Sequence, residues 1–237
     1  MNADFEPTTG AVAHYWATLI LQGERESATR SGDAGRQASV GGKQMGGFTL
    51  LIANAMERAG LPAESIFFGK PIEEVLPGYY RASKRWDVLA VYQSRLLAAV
   101  ELKSQTGPSY GNNLNNRAEE ALGSSADFWA AYREGAFGKT PRPLLGYVLA
   151  FEESDAAIRA VRIYRPHFPP LPGFDGTSYA ERAQILCERL ILERNYDAAW
   201  FLRMKRDGSF TEPSEMLSGS AFLASIAAHI SAALATP

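Results

Sequence analysis

The chain has one cysteine, Cys187, in 237 residues. That excludes an internal disulfide framework and any structural zinc site built on several thiolates. Its setting, Ala183-Gln184-Ile185-Leu186-Cys187-Glu188, predicts a packed helix instead of a reactive thiol. No apolar run approaches the roughly 18–20 residues that cross a bilayer. The N-terminus, Met1-Asn2-Ala3-Asp4-Phe5-Glu6-Pro7, lacks the basic and apolar regions of a secretory signal, so a cytoplasmic location is expected. No excess of positive charge exists either: the formal net charge is −2, and a chain of that balance has no general attraction for phosphate. A glycine-rich cofactor loop after a strand and an Asn/Asp-Pro-Pro-aromatic motif are also missing, which disfavours a DNA methyltransferase.

What is present is an ordinary globular composition, 46% hydrophobic and 21% charged, long enough for one large domain with one core. Charge is distributed unevenly. Between Tyr79 and Arg117 six basic residues (Arg81, Lys84, Arg85, Arg95, Lys103, Arg117) face two acids, Asp87 and Glu101, a local excess of +4.

Apolar spacing predicts a helix over 10–27, a Gly/Ser/Ala-rich loop from Ser27 to Gly47, and a helix from Phe48 to Ala59 stopped by Gly60 and Pro62. Two apolar runs, Asp87–Tyr92 and Leu96–Lys103, predict a hairpin around Gln93-Ser94-Arg95. A Gly/Asn-rich loop follows. The next helix is expected over Asn116–Glu134, capped by Asn116 with Glu119 in support and ended by Gly135, burying Ala118, Ala121, Leu122, Ser125, Phe128, Trp129 and Tyr132. Strands at Leu144–Phe151, Val161–Tyr164 and Ala198–Lys205, and helices at Ser178–Asn195 and Ala221–Ala233, complete a mixed α/β pattern in which a crossover helix joins neighbouring strands.

The chemistry-bearing residues are Asp87, at the start of one strand, and Glu101-Leu102-Lys103, at the end of the next. Charges that end an otherwise apolar strand are costly to bury unless partnered or metal-bound. Two carboxylates, with the Leu102 carbonyl as a third oxygen, suit Mg²⁺, which prefers oxygen ligands and retains some of its water. A lysine beside them can orient a water or stabilise charge developing on a phosphoryl group. The parity of the hairpin is a condition on this reading. A regular two-residue turn pairs Asp87 with Val100 and sends Glu101 to the other face, whereas an odd-length loop or a bulge aligns the two acids, with Cβ atoms roughly 4.5–5.5 Å apart. Taken alone, an Asp followed by Glu-x-Lys is as often a bland surface hairpin.

Asn112, Asn113, Asn115 and Asn116, with Arg117, follow that strand at once. Asparagine reads adenine and arginine reads guanine in the major groove, although asparagine also builds turns and caps, the reading favoured for Asn116. Arg81, Lys84 and Arg85 can hold phosphates or simply be solvated; Arg203, Lys205 and Arg206 are equally open. Glu57 is read as a solvated helical residue in preference to a further metal ligand. Glu119 and Glu120 are better read as acids near a helix N-terminus than as contacts to cytosine. His14 and His229 read as structural, and His167 is not needed as a base.

Val100-Glu101-Leu102-Lys103-Ser104-Gln105, Gly107-Pro108-Ser109, Gly111-Asn112-Asn113, Asn115-Asn116-Arg117 and Glu119-Glu120-Ala121-Leu122-Gly123 resemble the XhoI family of type II restriction endonucleases. So do Trp129-x-Ala131-Tyr132-Arg133-Glu134-Gly135, Pro166-His167-Phe168-Pro169 and Phe210-Thr211-Glu212-Pro213-Ser214, so that the likeness runs from about His14 to the C-terminal region. Trp86 stands where many nucleases of the wider PD-(D/E)xK fold have proline. The resemblance implies a restriction-endonuclease-like α/β core, about 80–205, with a mixed sheet flanked by helices and an N-terminal helical elaboration over about 1–60. It implies catalysis by Asp87, Glu101 and Lys103 with Mg²⁺ and double-stranded DNA as substrate. It further implies a homodimer on the palindrome CTCGAG, cutting after the first C to leave four-base 5′ overhangs, and a companion methyltransferase. The competing readings are a structure-specific repair or recombination nuclease of the same fold and a non-catalytic DNA-binding protein.

Overall fold

The computed structural model describes residues 5–29, 43–164 and 167–236. Helices α1 (Phe5–Thr29) and α2 (Gly46–Arg58) precede β1 (Ile66–Phe67), β2 (Val75–Pro77), β3 (Ser83–Arg85), β4 (Val88–Tyr92) and β5 (Arg95–Gln105). Then come α3 (Tyr110–Arg133), β6 (Leu144–Glu152), α4 (Asp155–Ile158), α5 (Tyr179–Leu192), β7 (Ala198–Met204), β8 (Phe210–Thr211) and α6 (Gly219–Leu234). Among the described residues no helix is long and apolar enough to cross a membrane.

Six strands form one mixed sheet in the order β1-β4-β5-β6-β7-β8. The β1–β4–β5 portion is antiparallel, β5–β6–β7 is parallel, and β8 returns antiparallel at the edge. Strand β6, Leu-Leu-Gly-Tyr-Val-Leu-Ala-Phe-Glu, is buried along its whole length, as a central parallel strand covered on both faces must be. One face packs α1, α2 and α6 through Val12, Tyr15, Phe48, Ile52, Phe222 and Ile226. The other packs α3 and α5 through Leu114, Ala121, Phe128, Ala183 and Cys187. Ala99 and Tyr147 lie on this second face, and strand alternation puts Glu101 and Lys103 there with them.

The β4–β5 hairpin decides where the acids meet. Tyr92 pairs with Arg95, so the turn has only two residues, Gln93 and Ser94, both left-handed at φ 50° and 61°. Two positive φ values suit the right-handed twist of the strands. The register then slips: Val91 pairs with Leu96 but Ala90 pairs with Ala98, leaving Leu97 as an extra residue on β5. Leu97 and Ala98 consequently point into the same core. Beyond the bulge Val88 pairs with Val100, where an unbulged turn would have paired it with Ala99. The parity condition is met by a bulge and not by an odd-length loop.

Several expectations need correction. The Gly/Asn-rich passage is not a loop: α3 begins at Tyr110, with Ser109 at its N-cap, so Asn112, Asn113, Asn115 and Asn116 occupy its first two turns. Asparagine is a poor helix former, but burial of Tyr110 and Leu114 in the core overrides local preference. Asn116 is therefore no cap. Leu122, expected in the buried stripe, is 47% exposed, and Asp127 is buried in that region instead. Val161–Tyr164 is not a strand, and the pairing there is one bridge between Ala160 and Ser178. Of the expected Ser27–Gly47 loop, the residues up to Thr29 belong to α1, Lys43–Met45 form a 3-10 turn and Gly46 and Gly47 open α2, while residues 30–42 lie outside the described residues.

Elsewhere the agreement is close. Gly135 follows α3 at φ 77°, Ser178 caps α5 in a reciprocal box with Glu181, and Cys187 is fully buried. Gln93 and Ser94 hold a conformation that costs an L-residue about 1 kcal/mol each. Replacing them by Asn-Gly, which adopts it readily, is expected to stabilise the fold by about 1 kcal/mol and to raise Tm by about 2–4 °C. An unchanged or lower Tm in a thermal melt would contradict the turn geometry.

Candidate active site

Glu101 is the centre of the cluster, 2% exposed on β5. Its Oε1 accepts from Lys84 Nζ at 2.9 Å and lies 3.0 Å from Lys103 Nζ. Its Oε2 accepts from the Tyr196 hydroxyl at 3.2 Å, and that hydroxyl also lies 3.1 Å from the Ala121 carbonyl on α3. One hydroxyl proton is thus shared between two acceptors. Burial by itself would raise the Glu101 carboxyl, but the Lys103 and Lys84 ammonium groups outweigh it and hold the carboxyl below its ordinary range.

Asp87 lies between β3 and β4. Its Oδ2 accepts the Leu102 N–H at 2.7 Å, the contact the bulge makes possible. In a strand a residue's N–H and C=O point the same way, so the Leu102 carbonyl is directed to the same side as Asp87. Burial pushes the Asp87 carboxyl up and the neighbouring Glu101 charge adds to that, against the Leu102 N–H, Lys103 and Lys84. A buried acid kept hard to ionise beside a second acid is suited to a cation.

The donor set fits a hard divalent ion: two carboxylates and one backbone carbonyl leave positions for water, as Mg²⁺ prefers. Among the described residues no group of three His, Cys, Asp or Glu side chains offers a more complete metal site. Glu57 is exposed on α2, which packs against the opposite face of the sheet, so it does not join the cluster.

The basic segment before Asp87 divides. Lys84, considered from the sequence as a phosphate contact, sits within the cluster in the free protein, its side chain 13% exposed and its ammonium 4.6 Å above the Trp86 ring. Arg81 donates its Nε to Asp127 at 2.9 Å, and Arg85 donates its Nε to Glu74 at 2.5 Å. Both guanidinium groups are anchored at one end and about half exposed at the other. Asp127, 3% exposed, also accepts the Tyr79 and Tyr80 N–H groups at 2.8 and 2.7 Å. A side chain at Gly78 would come within 2.7 Å of the Asp127 carboxylate and of the Arg81 carbonyl, so the turn tolerates only glycine. On α3, Asn112, Asn115 and Asn116 are exposed, while Asn113 and Arg117 are half-buried. Arg117 pairs with Glu120. Arg203 and Lys205 lie by Glu153, and Arg206 bonds Glu152 at 2.7 Å.

Tyr196 and Asp127 are the residues that the sequence reading missed. Tyr196 carries no local signal, since it is one aromatic in the turn before β7. Asp127 left a faint one, an acid next to the buried stripe of α3.

A mixed sheet that sets paired acids and a lysine where its antiparallel part meets its parallel centre is a restriction-endonuclease-like core. Comparison with known proteins agrees. The family model described as Restriction endonuclease XhoI matches residues 24–213. The type II restriction enzyme BstVI of Geobacillus stearothermophilus is 40% identical over 208 residues, covering 84% of this chain and 92% of that protein. XhoI of Xanthomonas vasicola is 44% identical over 185 residues, 77% and 73% of the two chains. AbrI of Azospirillum brasilense is 38% identical over 167 residues, 70% and 75%. No solved structure matches. The chain belongs to the XhoI family of type II restriction endonucleases, which are site-specific deoxyribonucleases.

Backbone and arginine donors hold the Asp127 carboxyl below its ordinary value. A depressed carboxyl contributes stability that is present above the unfolded pKa and is lost as pH falls through the folded value. Asp127→Asn is therefore expected to cost about 2 kcal/mol at pH 7. It should also flatten the loss of stability below pH 4, as read from denaturant melts across pH. A variant as stable as wild type at pH 7 would show that Asp127 does not organise the Gly78–Arg81 turn.

Proposed function

We propose that this protein cuts double-stranded DNA at CTCGAG, after the first C on each strand, using Asp87, Glu101 and Lys103 with Mg²⁺. The observation that carries the reading is the Asp87 carboxylate on the Leu102 N–H, one residue from Glu101 and Lys103. In this reading Asp87, Glu101 and the Leu102 carbonyl hold the ion. When bound, the ion supplies an acidified water and neutralises charge on the phosphoryl oxygens. In the free protein Tyr196 and the two lysines fix the Glu101 carboxylate; in the reaction Lys103 orients the attacking water and stabilises the developing negative charge. In this reading Asn112 and Asn115, exposed at the start of the helix that leaves the catalytic strand, meet base edges in the major groove together with Asn113 and Arg117. Arg81 and Arg85 extend their free N–H groups toward the backbone phosphates.

The palindromic site calls for a homodimer, whose two-fold axis would match that of the DNA and bring one centre to each strand. Such an enzyme works in the cytoplasm beside a methyltransferase that protects the same sequence. The similarity to XhoI and BstVI supports these assignments.

Digestion of a plasmid of known sequence with Mg²⁺, followed by sequencing of the ends, tests the reading. Discrete fragments with four-base 5′ overhangs at CTCGAG are expected; cleavage at another sequence, or preference for junctions or mismatches, would contradict it. Lys103→Ala is expected to lose at least about 10²-fold in rate while still binding the duplex in Ca²⁺. Equal rates for variant and wild type would place catalysis elsewhere.

A further inference from the structure

Two ammonium groups and a hydroxyl already face the Glu101 carboxylate. Oε1 takes both lysines, at 2.9 and 3.0 Å, and Oε2 takes Tyr196. A divalent ion that binds this carboxylate meets two ammonium charges already on it, and their repulsion favours the release of one of them. Tyr196 is 1% exposed and tied also to α3. Lys103 stands on the same strand, two residues along, where its backbone is fixed by the β5–β6 ladder. Lys84 differs from both. It belongs to β3, which pairs with β2 in a separate two-stranded sheet outside the main one.

The neighbours of Lys84 sharpen the contrast. Arg81 and Arg85 are held by buried acids of their own, Asp127 and Glu74. Lys84 is the basic residue of this segment whose ammonium faces Glu101, and its charge rests over the Trp86 ring, which offers it a second attractive surface.

Charge accounting gives the motion a direction. Asp87 and Glu101 against Lys84 and Lys103 sum to zero. A divalent ion makes the cluster strongly positive, while the scissile phosphate arrives negative, so an ammonium released from Glu101 has a partner close by.

We propose that Lys84 is a second catalytic lysine, which occupies the cation position at Glu101 in the free protein and passes to the scissile phosphate when metal and DNA bind. This rests on the metal-assisted cleavage proposed above. Lys84 then competes with the ion in the free protein and stabilises phosphoryl charge in the complex.

Calorimetric titration of Mn²⁺ into wild type and Lys84→Met, without DNA, reads the first role. Single-turnover cleavage of plasmid with Mg²⁺ reads the second. The variant is expected to bind Mn²⁺ about tenfold tighter yet to cleave about 100-fold more slowly. Lys84→Arg restores a cation over Trp86 and is expected to move both readouts back toward wild type, with thermal melts showing that all three proteins fold alike. Equal or weaker Mn²⁺ binding by Lys84→Met, undiminished cleavage, or an arginine variant indistinguishable from the methionine one would each overturn the proposal. If neither wild type nor Lys84→Met takes up Mn²⁺, the metal assignment of Asp87 and Glu101 itself fails, a result distinguishable from failure of the lysine's role alone.

Discussion

One extra residue on one strand sets the geometry of the site. The period of a β-strand is two, so a one-residue slip moves every side chain to the opposite face. With the two-residue turn at Gln93–Ser94 and no bulge, Glu101 and Lys103 would lie across the sheet from Asp87. Leu97 absorbs the difference, directing two successive side chains into the α1–α2–α6 core. From there Val88 meets Val100, and the Asp87 carboxylate reaches the Leu102 N–H at 2.7 Å. Bulges recur beside active sites for this reason: they re-aim side chains without interrupting the sheet.

Around that register the chain surrounds two acids with cations and donors. Glu101 meets Lys84, Lys103 and Tyr196, which come from three separate stretches of chain. The burial that would otherwise neutralise Glu101 is offset by paired charge, whereas Asp87, with one backbone donor, remains raised. Asp127 repeats the device at the edge of the site, holding the Gly78–Arg81 turn and leaving Tyr79 and Tyr80 exposed beside the basic segment. Arg81 and Arg85 each rest on a buried acid with about half of the side chain exposed.

Much of this was legible in the residues. The apolar run of β6 and the amphipathic spacing of α5 set the mixed α/β pattern, and Asp87 with Glu101-Leu102-Lys103 marked the centre. The turn was legible only as a condition, because chain length alone does not show where a strand takes up an extra residue. The asparagines misled for a definite reason. Their local preference is for turns, and the tertiary burial of Tyr110 and Leu114 that makes them helical is invisible in a short window. Lys84 was legible as a phosphate contact or a solvated lysine but not as a partner of Glu101, because that partner is 17 residues away. Tyr196 reaches Glu101 across 95 residues of sequence, and no local pattern encodes such a contact.

The central claim, that Asp87 and Glu101 together hold one divalent cation, is most directly tested by anomalous scattering from crystals grown with Mn²⁺ and a CTCGAG duplex. The account predicts a peak about 2.0–2.4 Å from oxygens of both carboxylates and of the Leu102 carbonyl. A bound duplex with Mn²⁺ density elsewhere, or none between these residues, would contradict it.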